Sequence, residues 1–254
     1  MNSLDQISLG FEKKDKDKYL YFDTETTDID RKEIIQLAFL TDDGNKFNMY
    51  FKPKREISFG AMAVHHITPE MLNDKTSFEE STYEGKFLIE YLKSLTKKYI
   101  WVAHNAKFDT EVLKKVGLEI PQAICTFKIA RDLLSVDQKD EYDLENYSLQ
   151  YLRYFLGLYK DEDKKHNIAH DALSDVYFLR DLFQYFQKNF QLTTEKMLNI
   201  TKAPLIIRNI HHGKHSGKSI KEIQIEEPEY LQWVIDNWDD KPDIVWNIKR
   251  ILGS

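Results

Sequence analysis

Three apolar segments near the start of the chain, YLYFDTET, EIIQLAFLTDDG and KFNMYFKP, carry aromatic and β-branched residues and are separated by Asp, Gly and Pro turn signals. Segments of that kind read as strands, and three joined by short turns form an antiparallel meander. Beyond them the period changes. Apolar positions recur three or four apart in YEGKFLIEYLKSL, in FDTEVLKKVG, which stops at Gly117, and in TFKIARDLL, SLQYLRYFLG and DALSDVYFLRDLFQYFQ. YIWVAHN reads as a buried strand between the first two helices, and REISFGAMAVHHITPEML as a loop. Strands first and alternating helices later specify an α/β domain with a mixed β-sheet flanked by helices, expected over residues 18–190.

The flanks read differently. Residues 1–17 end in EKKDKDK, which has too little apolar content to bury and reads as a mobile leader. Residues 191–254 are expected to form a small basic and helical C-terminal module. Its stretch NIHHGKHSGKSIKEIQ belongs to a basic run, Lys202, Arg208, Lys214, Lys218 and Lys221, whose glycines would let backbone approach phosphates. Two helices, PEYLQWVIDNW and PDIVWNIKRIL, each open on proline, the favoured first helical position. Tyr230, Leu231, Val234, Ile235 and Trp238 would make the apolar face of the first.

Charge and cysteine content narrow the function. Counting 36 basic against 42 acidic residues gives a net charge of −6, which argues against coating nucleic acid through a general positive field. An enzyme acting on nucleic-acid ends needs only local basic patches, for which Lys97, Lys98, Lys114, Lys115, Lys164 and Lys165 are candidates. Cys125 is the single cysteine, so an intramolecular disulfide and a Cys-rich zinc site are both excluded. No apolar run approaches the roughly 18 residues that span a bilayer, and no signal-peptide pattern opens the chain, so a cytoplasmic protein without a membrane partner is expected.

Three constellations carry the chemistry. Asp23 and Glu25, in FDTET, are alternate residues at a strand end and project to one side. Asp109, in HNAKFD, sits at a strand-to-helix junction, where ligands bind in α/β sheets. His170 and Asp175, in HDALSD, open a helix, and both reach one site only if His170 lies on the entering loop. Taken singly, each has an ordinary reading: an exposed strand end for Asp23 and Glu25, a helix cap for Asp109, a surface histidine for His170. Four carboxylates without cysteine suit two hard ions, Mg²⁺ or Mn²⁺, which together promote in-line phosphodiester hydrolysis. An imidazole with a pKa near 6.5 suits the proton transfer.

DTET, HNAKFD and HDALSD, in that order, resemble the three motifs of the DEDD superfamily of 3′-to-5′ exonucleases, histidine subclass. AMAVHHITPEML and ICTFKIARDLL are similar to its connecting segments, and the C-terminal segment resembles a module of exodeoxyribonuclease X-like proteins. The resemblance implies a ribonuclease H-like fold, metal ligation by Asp23, Glu25, Asp109 and Asp175, and His170 as general base. It also implies contacts to the terminal nucleotide by Thr26, Val64, His65, His104 and Phe108. The expected activity is release of nucleoside 5′-monophosphates from single-stranded or frayed DNA 3′ ends, in repair or proofreading. Trimming of RNA ends and a non-catalytic nucleic-acid-binding subunit are the alternatives. A folded basic tail favours a free-standing enzyme over a polymerase subunit. One departure is the aromatic-rich segment from Tyr142 to Leu158, where the family has a leucine-rich helix.

Overall fold

A computed structural model describes residues 17–30, 32–134, 144, 146–160 and 172–253. The three leading segments form β1 (Tyr19–Thr26), β2 (Ile34–Thr41) and β3 (Lys46–Tyr50), with β2 antiparallel to both neighbours. Two short helices, α1 (Phe59–His65) and α2 (Pro69–Leu72), and a hairpin of β4 (Thr82–Tyr83) with β5 (Lys86–Phe87) lead into α3 (Leu88–Thr96). β6 (Ile100–Ala103) joins β1 in parallel, α4 (Ala106–Lys115) follows, and β7 (Ala123–Cys125) completes a five-stranded sheet of order β3-β2-β1-β6-β7. Next come α5 (Thr126–Leu134), α6 (Leu149–Phe155), α7 (Ala172–Phe190) and α8 (Thr194–Lys202), then α9 (Ile220–Glu226), α10 (Pro228–Asn237) and α11 (Pro242–Leu252). The mixed sheet flanked by helices is the architecture the hydrophobic pattern specifies.

Strand alternation sorts the core into two layers. Leu20 and Phe22 of β1, Leu37 and Phe39 of β2, and Trp101 and Ala103 of β6 are buried with Leu88, Leu92, Val112 and Leu113 of α3 and α4. Tyr19, Tyr21, Ala38, Leu40 and Val102 face the other way, against Val176, Leu179, Phe183 and Phe186 of α7 and Met197 of α8. Every residue of β2 is buried, because both faces of the sheet are covered. At about 1.5–3 kcal/mol for each large side chain fully removed from water, these two layers dominate the stability of the sheet.

Several local outcomes differ from the sequence reading. The helix expected from Tyr83 starts at Leu88 instead, because Glu84 (φ 49°) and Gly85 (φ 74°) take the left-handed conformations of a tight hairpin turn. The segment expected to be a loop holds α1 and α2. Ser58 caps α1 by accepting from the Ala61 amide at 3.1 Å, and Pro69 occupies the first turn of α2. His65 is the one buried side chain of α1, so no apolar period announces that helix. The stop at Gly117 (φ 86°) is as expected, with Leu118 N donating to the Leu113 carbonyl at 2.9 Å.

After Lys202 a third apolar cluster begins, in which Ile210, Ile220, Ile223, Leu231, Val234 and Ile248 are buried. The apolar face expected of PEYLQWVIDNW is the buried one: Tyr230, Leu231 and Val234 lie inside and Ile235 and Trp238 pack beside them. Ser219 and Glu222 close a capping box at α9. Two cations of the basic run are paired, Lys214 with Glu227 at 2.6 Å and Lys218 with Glu226, and His215 also meets Glu227 at 2.7 Å. Gly213 (φ 75°) has no room for a Cβ, which would stand 2.8 Å from Tyr230 Oη, so this glycine serves packing. Among the described residues no helix is long and apolar enough to cross a membrane.

Candidate active site

The alternation that builds the core also aims the acids. Asp23 and Glu25 continue the Tyr19–Tyr21 side of β1 and so point toward α7, whose first turn carries Asp175. Carboxylate oxygens of Asp23, Glu25 and Asp175 lie within 4.8 Å of one another. Two carboxylates about 4 Å apart repel by on the order of 4 kcal/mol at an effective dielectric near 20, and a divalent cation between them reverses the sign. The donor set is oxygen only, which fits a hard ion.

α6 supports this cluster from outside. Gln150 Nε2 donates to Asp175 Oδ1 at 2.7 Å, and Arg153 Nη1 donates to Gln150 Oε1 at 3.0 Å. The Arg153 guanidinium is buried and lies 4.0 Å from the Phe178 ring centroid. Nothing in the hydrophobic pattern distinguished Gln150, because its partner is 25 residues away in sequence.

Asp109 approaches from the opposite layer, on α4. It is buried, and its Oδ1 accepts from the Thr24 amide at 3.1 Å and the Thr24 hydroxyl at 2.7 Å. It therefore does not cap α4; that position belongs to Asn105, held left-handed (φ 62°, ψ 47°). Burial pushes the Asp109 carboxyl up to about 7, and the two Thr24 bonds oppose that rise.

Most of the remaining candidates are held by contacts of their own. His104 is engaged at both ring nitrogens: Nε2 lies 2.9 Å from the Tyr147 carbonyl, which only accepts, so Nε2 carries the proton. Its Nδ1 lies 2.9 Å from Thr126 Oγ1, and burial lowers the pKa to about 4. His65 is buried, its Nδ1 accepts from the Ile67 amide at 2.9 Å, and burial, opposed by the Thr26 backbone, holds its pKa below the usual value. Thr26 donates its hydroxyl to the Asp28 carbonyl at 3.0 Å, Val64 is exposed, and the Phe108 ring is covered by Lys32 Nζ at 4.5 Å. His170, Lys164, Lys165, Tyr142 and the leader through Lys16 lie outside the described residues.

The sequence model of the family described as Exonuclease matches residues 20–183, and that described as Exodeoxyribonuclease X-like C-terminal matches residues 211–239. The chain is 30% identical to Exodeoxyribonuclease 10 of Escherichia coli strain K12 over 218 residues, covering 83% of this chain and 86% of that protein. It is 29% identical to DNA polymerase III subunit epsilon of Buchnera aphidicola over 232 residues, covering 85% and 86%. Among solved structures, Exonuclease X in complex with 5′-overhanging duplex DNA superposes with a TM-score of 0.54 at 29% identity, over 72% of this chain and 99% of that one. Escherichia coli Exonuclease I with a dA16 oligonucleotide shares the fold at 17% identity and a TM-score of 0.55, over 72% of this chain and 42% of that one. The sheet order, the meeting of acids from β1 and α7, and a family match running from β1 to α7 lead to one conclusion: the chain belongs to the exonuclease family, with its ribonuclease H-like fold.

Proposed function

We propose that this exonuclease removes nucleoside 5′-monophosphates from DNA 3′ ends, with Asp23, Glu25 and Asp175 as the core of a divalent-metal site and Asp109 completing it. The observation that carries this reading is the convergence of three carboxylates within 4.8 Å, an arrangement that is costly without a cation. When bound, Mg²⁺ or Mn²⁺, as two ions, lowers the pKa of the attacking water and neutralises charge on the departing oxygen. The chain's own groups supply the rest. Gln150 keeps Asp175 turned into the cluster, Thr24 keeps Asp109 ionisable, and His170 is assigned the proton from the water. Thr26, Val64, His65, His104 and Phe108 form the surroundings of the terminal nucleotide, with His104 acting through the packing of Tyr147 and Thr126.

DNA is favoured over RNA because the relatives at about 30% identity are an exodeoxyribonuclease and a DNA polymerase subunit. Matched DNA and RNA oligonucleotides, labelled at either end and incubated with and without Mg²⁺ or Mn²⁺, test the proposal. A ladder that shortens from the 3′ end of DNA only when metal is present is expected. Asp23→Asn should abolish it, and cleavage that persists in EDTA or in that variant would overturn the assignment.

A further inference from the structure

Beside the acidic site lies a depression of opposite charge. Lys32, Lys52, Lys54, Arg55 and Lys115 line a cavity of about 220 Å³ together with Glu33, Glu79, Ile34, Phe78 and Val116, so five cations face two carboxylates in a chain of net charge −6. Lys52, Lys54, Arg55 and Lys115 are exposed. One of the two acids is spent on the backbone: Glu33 accepts from the Lys54 and Arg55 amides at 2.6 and 3.2 Å. The other, Glu79, meets Lys54 at 3.1 Å with both side chains more than half exposed, and pairs of that kind exchange readily for another anion.

The position of this depression is fixed relative to the carboxylates. Thr27, which follows the strand bearing Asp23 and Glu25, donates its amide to the Glu33 carbonyl at 2.9 Å, and its own carbonyl accepts from the Ser58 amide at 2.9 Å. The segment 52–58 is thereby tied to the end of β1. Lys32 bridges the two regions, 4.5 Å above the Phe108 ring and 2.8 Å from Glu111. Lys115 lies six residues beyond Asp109 on α4, about 9 Å along the helix axis.

We propose that this depression binds phosphates of the strand being degraded, just upstream of its terminal nucleotide, and so sets the affinity for chains longer than one residue. It rests on the exonuclease reading above. Phosphate contacts of this kind position a strand without reading its sequence, and each one displaces counterions. The depression is therefore a length- and salt-sensing element.

The test uses the full chain and its Lys52→Gln/Lys54→Gln/Arg55→Gln variant. Binding of a labelled single-stranded DNA oligonucleotide is followed by fluorescence anisotropy in EDTA, so that no turnover is required. The triple variant should raise Kd by about tenfold or more at low salt and reduce the slope of log Kd against log salt by about 2, near 0.7 for each phosphate left without its cation. The activity ratio between the oligonucleotide and the p-nitrophenyl ester of thymidine 5′-monophosphate should fall by a similar factor. Arg55→Gln alone should move both readouts part of the way. A control that removes as much charge from exposed lysines lining no part of the depression, Lys86→Gln/Lys93→Gln/Lys188→Gln, should leave the slope unchanged. Equal effects from both triples, no effect from the first, or an effect confined to duplex DNA would each overturn the proposal. Failure of the native chain to release mononucleotides would instead sink the exonuclease reading, with the comparison of Kd values still standing.

Discussion

Thr24 lies between Asp23 and Glu25 in sequence but faces the other side of the sheet, where its amide and hydroxyl both donate to Asp109 Oδ1, at 3.1 and 2.7 Å. One strand end therefore serves two layers. Its odd residues present acids toward α7, and the residue between them anchors an acid from α4. Replacing Thr24 by Val keeps the amide and the shape but removes a hydrogen bond to a charged group, which contributes about 1.5–3 kcal/mol. Denaturant unfolding at saturating Mg²⁺ should show a loss of that size, and half-maximal activity should need more Mg²⁺. Thr24→Ser should restore both.

Asp109 and His104 make stability respond to pH in opposite senses over the same range. The folded-state pKa of Asp109 is raised from 3.8 to about 7, so the metal-free folded chain holds the extra proton and loses stability as pH rises from about 4 to 7. The folded-state pKa of His104 is lowered from 6.5 to about 4, so the unfolded chain holds the extra proton and stability is lost as pH falls through that interval. In EDTA, Asp109→Asn should make Tm climb more steeply between pH 4.5 and 6.5, and His104→Phe should make it climb less or fall. The same tilt in both variants would contradict these environments.

Gln150 contacts Asp175 through a single 2.7 Å bond and is itself held by Arg153. Gln150→Leu leaves the clustered carboxylates in place but removes a group that orients one of them. Losing an outer partner of a metal ligand costs about 10-fold or more in metal affinity. The Mg²⁺ concentration for half-maximal hydrolysis, and for half-maximal thermal stabilisation, should rise by about that factor, while the rate at saturating Mg²⁺ falls much less.

Phe183 is fully buried and meets Tyr19 and Tyr21 edge-on, with ring centroids 4.7 and 5.5 Å away. Phe183→Ala should cost about 3–5 kcal/mol, because the layer between α7 and β1 closes only partly over the void. Ile225→Ser, at a side chain that is 84% exposed, should change stability by no more than about 0.5 kcal/mol. Denaturant midpoints for both variants check the contrast.

The parts read correctly from sequence were those whose physics is local or periodic. Aromatic and β-branched segments between turn signals gave β1, β2 and β3, helical spacing gave α4 to α7, and proline at the first turn marked α10 and α11. What escaped was short or held by distant partners. β7 spans only Ala123–Cys125, α1 is held by one cap rather than an apolar face, and α9 spans only Ile220–Glu226. Within the basic C-terminal run, Lys214 and Lys218 pair with Glu227 and Glu226, which lie thirteen and eight residues away, so those pairings were not legible from local sequence.

By itself the sequence determined the fold class and the pairing of two acids, because alternation along β1 places Asp23 and Glu25 on one side whatever surrounds them. Only the tertiary structure decided that Asp175 of α7 completes their cluster, that Asp109 comes from the opposite layer on Thr24, and that cations gather around the loop after β3. The physical reason is range. Backbone periodicity acts over a few residues, whereas repulsion among carboxylates, burial of a charge and the meeting of lysines depend on segments brought together by packing the two faces of one sheet.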